Sequence, residues 1–351
     1  MDSLYSRFVF PLLRRMDAET VHERTLRLLE LGQGRMTRPF LHKIAGQLPY
    51  QPIAFAGLTF PNVLGMAAGF DKDIRVATGL AALGFGHIEV GTLTPRPQAG
   101  NPRPRIFRLL ADGAIINRMG FPNGGVAAAV PRLRQLAAQP HDFVLGASLG
   151  KQKETPLADA AGDYIAVMRA VYPFADYLAV NISSPNTPGL RELQGGNYLS
   201  QLLGTLTAEN ASLAQTQNVS KRPLFVKIAP DLTVAELDEI LTAVQDNQID
   251  AIIATNTTVN RDGLTSVKQK EAGGLSGLPL RQQSTEIIQH IHRQTNGRLP
   301  IIGVGGVRTA DDVQEKLDAG ASLVQLYTSL VYEGPGLPGR LLRALAPSST
   351  N

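Results

Sequence analysis

From about residue 60 onward the chain alternates short apolar, β-branched runs with longer stretches of helical spacing, which is the pattern of repeated βα units. The apolar runs fall at 62–67, 86–91, 143–149, 177–182, 224–228, 251–255, 301–304 and 323–326. Between them the spacing predicts helices near 72–83, 123–138, 157–172, 197–216, 233–247, 280–295 and 309–319, with a last one near 336–346. Strands that are apolar almost throughout are buried on both faces, as in a parallel sheet covered by helices. Eight such units in succession favour a closed (β/α)₈ TIM barrel over an open doubly wound sheet. Polar residues gather just after each run, and a barrel assembles its active site at that C-terminal rim, so eight distant segments converge on one mouth.

Residues 1–46 follow another rhythm. Tyr5, Phe8, Val9, Leu12 and Leu13 recur at helical spacing, and Asp17 is positioned to cap a second helix bearing Val21, Leu28, Leu29 and Leu31. The expected organisation is therefore a small amphipathic two-helix extension, 1–46, ahead of a barrel domain, 47–351. The pattern alone allows the two helices either to lie in a membrane interface or to pack on the barrel or another subunit.

Composition narrows the classes. Of 351 residues 43% are hydrophobic and 18% charged, ordinary values for a globular chain. Cysteine is absent, which removes disulfides, thiolate metal sites and cysteine as nucleophile or base. The net charge of +4 is far weaker than the clustered charge of a nucleic-acid binder. It is concentrated, however: residues 1–46 carry eight Arg or Lys against five acids. No stretch reaches the roughly 18–20 apolar residues that span a bilayer, and the N-terminus has no cleavable signal pattern. A peripheral protein on the cytoplasmic face of a membrane is the expected location.

Candidate chemistry lies at the strand ends. Gly303-Val304-Gly305-Gly306, followed after the next strand by Tyr327-Thr328, suits the phosphate site that barrels build from their last two loops, although a glycine-rich turn by itself is often only a turn. No Gly-x-Gly-x-x-Gly opens an early helix, which argues against a Rossmann unit. Lys72 and Lys227 both end strands; one such lysine is usually a solvated charge, but two aimed into one mouth suit an anionic cofactor or a carboxylate. Asn117, Asn181, Asn186 and Asn256 can each be turn residues, and together offer amides that both donate and accept toward a ring of carbonyls and N–H groups.

Several segments are specific enough to name a family. Ala67-Ala68-Gly69-Phe70-Asp71-Lys72, Ile116-Asn117-Arg118-Met119-Gly120-Phe121, Asn181-Ile182-Ser183-Ser184-Pro185-Asn186-Thr187-Pro188-Gly189-Leu190-Arg191, Val226-Lys227-Ile228-Ala229-Pro230-Asp231, Thr255-Asn256-Thr257-Thr258 and Gly303-Val304-Gly305-Gly306-Val307 resemble the motifs of the quinone-dependent, membrane-associated dihydroorotate dehydrogenases. The resemblance runs in order through nearly the whole chain. It implies oxidation of dihydroorotate to orotate in pyrimidine biosynthesis, with flavin mononucleotide (FMN) as hydride acceptor and a membrane quinone as final acceptor.

Carried over residue by residue, the resemblance makes Ser184 the base, Thr187 its relay partner and Phe121 a neighbour of the base. It assigns Lys72, Asn117, Arg118, Met119, Gly120, Phe121, Asn181, Asn186, Asn256 and Thr257 to the substrate. It assigns Ala68, Gly69, Phe70, Asp71, Lys72, Thr92, Ser148, Asn181, Lys227, Thr255, Ser276, Gly277, Gly305, Gly306, Tyr327 and Thr328 to FMN, and His22 and Arg108 to a quinone tunnel. The residues given to substrate and cofactor all lie in the barrel, so the extension is expected to be separable from dihydroorotate oxidation. One departure is visible: Ser148 stands where the family usually has asparagine.

Overall fold

The computed structural model describes residues 4–346; Asp2 and the last five residues, which the expected extension and barrel domain include, lie outside them. Eight parallel strands close into a barrel: β1 Leu64–Met66, β2 His87–Leu93, β3 Val144–Leu149, β4 Tyr177–Asn181, β5 Leu224–Ile228, β6 Ala251–Ala254, β7 Ile301–Val304 and β8 Leu323–Leu326. Each pairs with its neighbours in chain order, and β8 returns to β1. These are the eight runs expected, and β2 through β6 and β8 are buried along their whole length, as strands with helices outside and side chains inside must be.

Local chemistry sets the helix boundaries. Thr233 and Glu236 form a capping box at the start of Val234–Asp246, and Thr309 and Asp312 form another before Ala310–Asp318. The helix expected over 72–83 is shorter, Ala77–Ala82. Its first turn is diverted because the Asp71 carboxylate accepts the backbone N–H groups of Arg75 (2.7 Å) and Val76 (2.8 Å), folding 71–76 into a loop at the mouth.

Four features lay outside the sequence expectation. A hairpin, Ile53–Phe55 with Leu58–Phe60, plugs the N-terminal end of the barrel. There Phe55 and Tyr177 pack on Phe225, with ring centroids 5.6 and 4.5 Å away. At the other end, Ile106–Leu109, Ala114–Asn117 and Gly274–Gly277 form a three-stranded antiparallel sheet, stitched from the loops that follow β2 and β6. A helix, Thr328–Glu333, precedes the last one, Leu337–Leu345.

The fourth is in the N-terminal segment, which is helical as expected but has one more helix. A π-helical turn, Tyr5–Val9, runs into Phe10–Leu13; Ala18–Gly32 follows, capped by Asp17, whose carboxylate accepts from the Thr20 N–H at 2.8 Å. The additional helix is Arg38–Ala45, with Pro39 in its first turn and Gly46 at φ 74° beyond its end.

Candidate active site

The loops at the C-terminal rim and the N-terminal helices enclose one continuous cavity of about 710 Å³. That volume is in the usual range for a small-molecule site. Its inner part is polar. The β4 end supplies Asn181, whose Nδ2 donates to Thr92 Oγ1 at 2.8 Å while its Oδ1 accepts from Ser183 Oγ at 3.0 Å. Asn256, just after β6, donates to the same Ser183 Oγ at 2.9 Å. From the three-stranded sheet that roofs the mouth (the roof sheet), Asn117 Oδ1 accepts from Asn186 Nδ2 at 3.2 Å, and Asn186 N donates to Ser184 Oγ at 3.2 Å. Four asparagines from three segments thus line the cavity with Ser184, which is itself buried.

Two cations meet this wall. Lys72 donates to the Gly69 carbonyl, and its remaining surface faces the cavity. Loss of solvation pulls its ammonium down to about 8 against the raising pull of Glu19, Asp73 and Glu23. Lys227, on β5, is buried against Glu89 of β2 at 3.0 Å. Gln325 of β8 donates to the other Glu89 oxygen at 2.9 Å.

The glycine cradle is where it was expected. Gly305 and Gly306, with φ of 133° and 74°, follow β7, and a Cβ on Gly306 would come within 2.7 Å of Arg281 backbone atoms, so only glycine fits. Beside them Thr328 Oγ1 donates to Ser276 Oγ at 2.8 Å. Two buried polar atoms on this wall, Gln325 Oε1 and Ser329 Oγ, have no partner among the described residues. In a folded interior such atoms await a ligand or water.

The outer part is apolar and lies between the N-terminal helices, among Val9, Leu13, Val21, Leu28, Leu29 and Leu41. His22 sits at the junction, edge-on to Phe70 at 5.1 Å, and burial pulls its imidazole to about 3, so it is neutral near pH 7. Arg108 is buried and donates to the carbonyls of Leu13 (3.0 Å) and Met16.

Most residues expected at the site line this cavity: Ala68, Gly69, Phe70, Thr92, Met119, Gly120, Phe121, Thr255, Thr257, Gly277 and Tyr327 join those already named. Four do not. Asp71 is turned away to hold the loop N–H groups of Arg75 and Val76. Arg118 reaches outward to Glu271 at 2.7 Å, over the Phe107 ring. Ser148 is fully buried behind Thr92, with the two hydroxyls 2.9 Å apart, so its shorter side chain supports the wall from behind. Thr187 is buried outside the wall, its Oγ1 without a partner among the described residues.

Glu89 and Gln325 were missed by sequence reasoning. The signal was present for Glu89, an acid in the middle of a run otherwise suited to burial on both faces, which demands a buried cation. Glu19 was missed too, having been counted only among the charges of the extension. It is buried, and both its oxygens accept from Arg105, at 2.7 Å for Nη2 to Oε1.

A closed barrel with a phosphate-type glycine cradle and a buried, amide-lined pocket defines an enzyme that works on a small polar ring at its C-terminal face. The family model for dihydroorotate dehydrogenase matches residues 52–347. The dihydroorotate dehydrogenase (quinone) of Chloroflexus aurantiacus is 49% identical over 359 aligned residues, covering 99% of this chain and 98% of its own. That of Chromobacterium violaceum is 50% identical over 337, covering 96% of each. The crystal structure of DHODH from Eimeria tenella in complex with ferulenol superposes with a TM-score of 0.82 at 38% identity, covering 93% of this chain and 90% of that one. The chain belongs to the dihydroorotate dehydrogenase family.

Proposed function

We propose that this protein oxidises dihydroorotate to orotate, with FMN as its bound cofactor and a membrane quinone as the final acceptor, in pyrimidine biosynthesis. The observation that carries the reading is the single cavity with a polar, amide-lined inner end and an apolar outer end between the N-terminal helices. The donor set fits FMN. Gly277, Gly305 and Gly306 with the hydroxyls of Ser276 and Thr328 would hold its phosphate, and Lys227, Thr92, Thr255, Asn181 and the partnerless Gln325 Oε1 would meet its ring. A bound flavin supplies a hydride acceptor that can afterwards hand the electron pair to quinone.

The chain's own groups do the rest. The amides of Asn117, Asn181, Asn186 and Asn256 orient the dihydroorotate ring, and the Lys72 ammonium faces its carboxylate. Ser184 Oγ removes the proton from carbon five as the hydride leaves carbon six. A serine hydroxyl is a weak base, so it must pass its own proton on. The buried Thr187 Oγ1, without a partner among the described residues, is suited to relay it, taking this proton as it releases its own toward solvent.

The same reading puts the N-terminal helices on a lipid surface, on the cytoplasmic side. No described helix is long and apolar enough to cross a membrane. What supports surface attachment is a sorting of charge. Glu19, Glu23 and Glu30 pair inward with Arg75, Arg103 and Arg105, and Asp17 caps its helix. None of the segment's eight Arg and Lys residues makes a salt bridge among the described residues, and Phe8, Leu12, Leu31, Met36 and Phe40 are exposed beside them. An outer face both cationic and apolar is what an anionic lipid interface attracts.

Anaerobic addition of dihydroorotate to the purified protein tests the reaction. Its bound flavin should bleach, and a quinone should restore the colour. Protein that carries flavin but does not bleach would overturn the assignment.

A further inference from the structure

We propose that Asn101, held from the N-terminal segment by Glu19 through Arg105, is the positioning residue that fixes the spacing of the two segments around dihydroorotate. The inference rests on the dihydroorotate reading of the cavity. It makes the extension a working part of the inner half of the site as well as of the outer half.

The path consists of short contacts. Glu19 lies in the first turn of helix Ala18–Gly32, buried, and its Oε1 accepts from Arg105 Nη2 at 2.7 Å. Arg105 is buried too, and spends its Nη1 on the carbonyls of Ala99 and Asn101, both at 2.8 Å. The backbone of Asn101 is thereby clamped from one side. From the other, its own N–H donates to the Met119 carbonyl at 2.9 Å.

The Asn101 side chain then bridges two segments that have no sequence proximity. Its Nδ2 donates to the carbonyl of Arg118 at 3.0 Å, in the loop that carries Asn117 and Phe121, and to the carbonyl of Asn186 at 3.2 Å, in the loop that carries Ser184. Both hydrogens of one amide are used, one on each side of the pocket. Its Oδ1 accepts from Lys153 Nζ at 3.0 Å, which sets which way the amide faces. Asn117 and Asn186 also touch each other directly at 3.2 Å, but that contact joins two side chains that a ring substrate must engage. Asn101 joins their backbones, so its bond can persist when a substrate takes over the side-chain amides.

This arrangement changes the view of the extension as separable. Removing residues 1–46 would strip Arg105 of its carboxylate partner, so that nothing from the extension would hold its guanidinium on the Ala99 and Asn101 carbonyls. Point variants in the full-length flavin-loaded enzyme are the cleaner test. Asn101→Asp keeps the shape and the acceptor for Lys153 and removes both donated hydrogens.

The readouts are the dissociation constant of orotate, followed by the absorbance change of the bound flavin, and the KM for dihydroorotate against kcat. Asn101→Asp should raise the orotate constant and the dihydroorotate KM together by about tenfold, within the scale of two lost hydrogen bonds. Flavin content and the KM for a short-tailed quinone should stay as in the parent. Glu19→Gln should raise the same two constants by about threefold, the scale of coupling through a contact network. The double variant should show less than the product of the single effects, because both act through one strut. If Glu19→Gln does not accumulate folded, Glu19→Asp, which keeps the charge but draws it back, takes its place.

Parent-like orotate binding and dihydroorotate KM in Asn101→Asp overturn the inference. A Glu19 variant that alters only quinone kinetics removes the extension from it. A parent enzyme that carries flavin and is not bleached by dihydroorotate marks failure of the underlying reading instead.

Discussion

Lys227 and Glu89 form an ion pair of 3.0 Å inside the barrel, with the Glu89 side chain wholly excluded from solvent and Lys227 open only toward the cavity. Breaking one partner of a buried pair leaves an uncompensated charge and costs about 3–5 kcal/mol. Glu89→Gln should therefore lower the free energy of unfolding by that order and weaken flavin retention, since the Lys227 ammonium must find another counter-charge. Denaturant unfolding and flavin content after dialysis measure the two effects. A loss within about 0.5 kcal/mol, the scale of an ordinary surface change, would remove the pair as a structural determinant.

Ser184→Ala should bind flavin and orotate almost as the parent does while slowing flavin reduction by about 10²–10⁴-fold, because a general base acts mainly on the transition state. Stopped-flow bleaching by dihydroorotate measures the rate. Reduction at the parental rate would take Ser184 out of the mechanism.

Lys72, in the role proposed for it, should give the dihydroorotate step a pH limit. Desolvation lowers the pKa of its ammonium to about 8, so an attraction for the substrate carboxylate is complete below that pH and disappears above it. The value of kcat/KM, which reports groups on the free enzyme, should fall about tenfold for each pH unit above 8. Lys72→Ala should be slow throughout and lack this limb. A profile that stays flat to pH 9.5 in the parent would separate Lys72 from substrate capture.

Attachment to lipid is best tested on residues of the extension that point away from the cavity. Phe8, Leu12 and Leu31 are exposed at 61%, 65% and 73% and do not line it. The triple variant Phe8→Ser, Leu12→Ser, Leu31→Ser should lose binding to anionic vesicles and turnover with a long-tailed quinone, while a short soluble quinone still reoxidises the flavin. Added salt should weaken vesicle binding of the parent, since exposed charges are screened beyond about 10 Å at 0.1 M ionic strength. Vesicle binding that is unaffected by the triple change would leave these helices as packing elements only.

The barrel was legible because its strands are apolar on both faces, as a parallel sheet under helices requires, and because eight of them follow in succession, and the Asp17 cap because one short acid before an amphipathic run has a local cause. The roof sheet was not. Gly274-Leu275-Ser276-Gly277 has almost no strand propensity, and it is a strand because its partner, Ala114–Asn117, lies some way back in the chain. Most residues expected at strand ends line one cavity, as the mouth argument implies, whereas the Asp71 and Arg118 side chains turn away from it. A polar residue in a loop can turn either way, and hydrogen-bond demand from Arg75, Val76 and Glu271 settled the direction. Glu19 was opaque for the same reason: its value lies in Arg105, far along the chain.

The pairing of Ala114–Asn117 with Gly274–Gly277 also bears on biosynthesis. During synthesis from the N-terminus, the central strand of the roof sheet, Ala114–Asn117, leaves the ribosome well before its second partner exists. Until Gly277 has emerged and β8 has returned to β1, the chain has neither a ceiling over the pocket nor a closed ring beneath it. Capture of the cofactor is then an event of the finished polypeptide, and a chain cut short anywhere before the last barrel strand should be colourless.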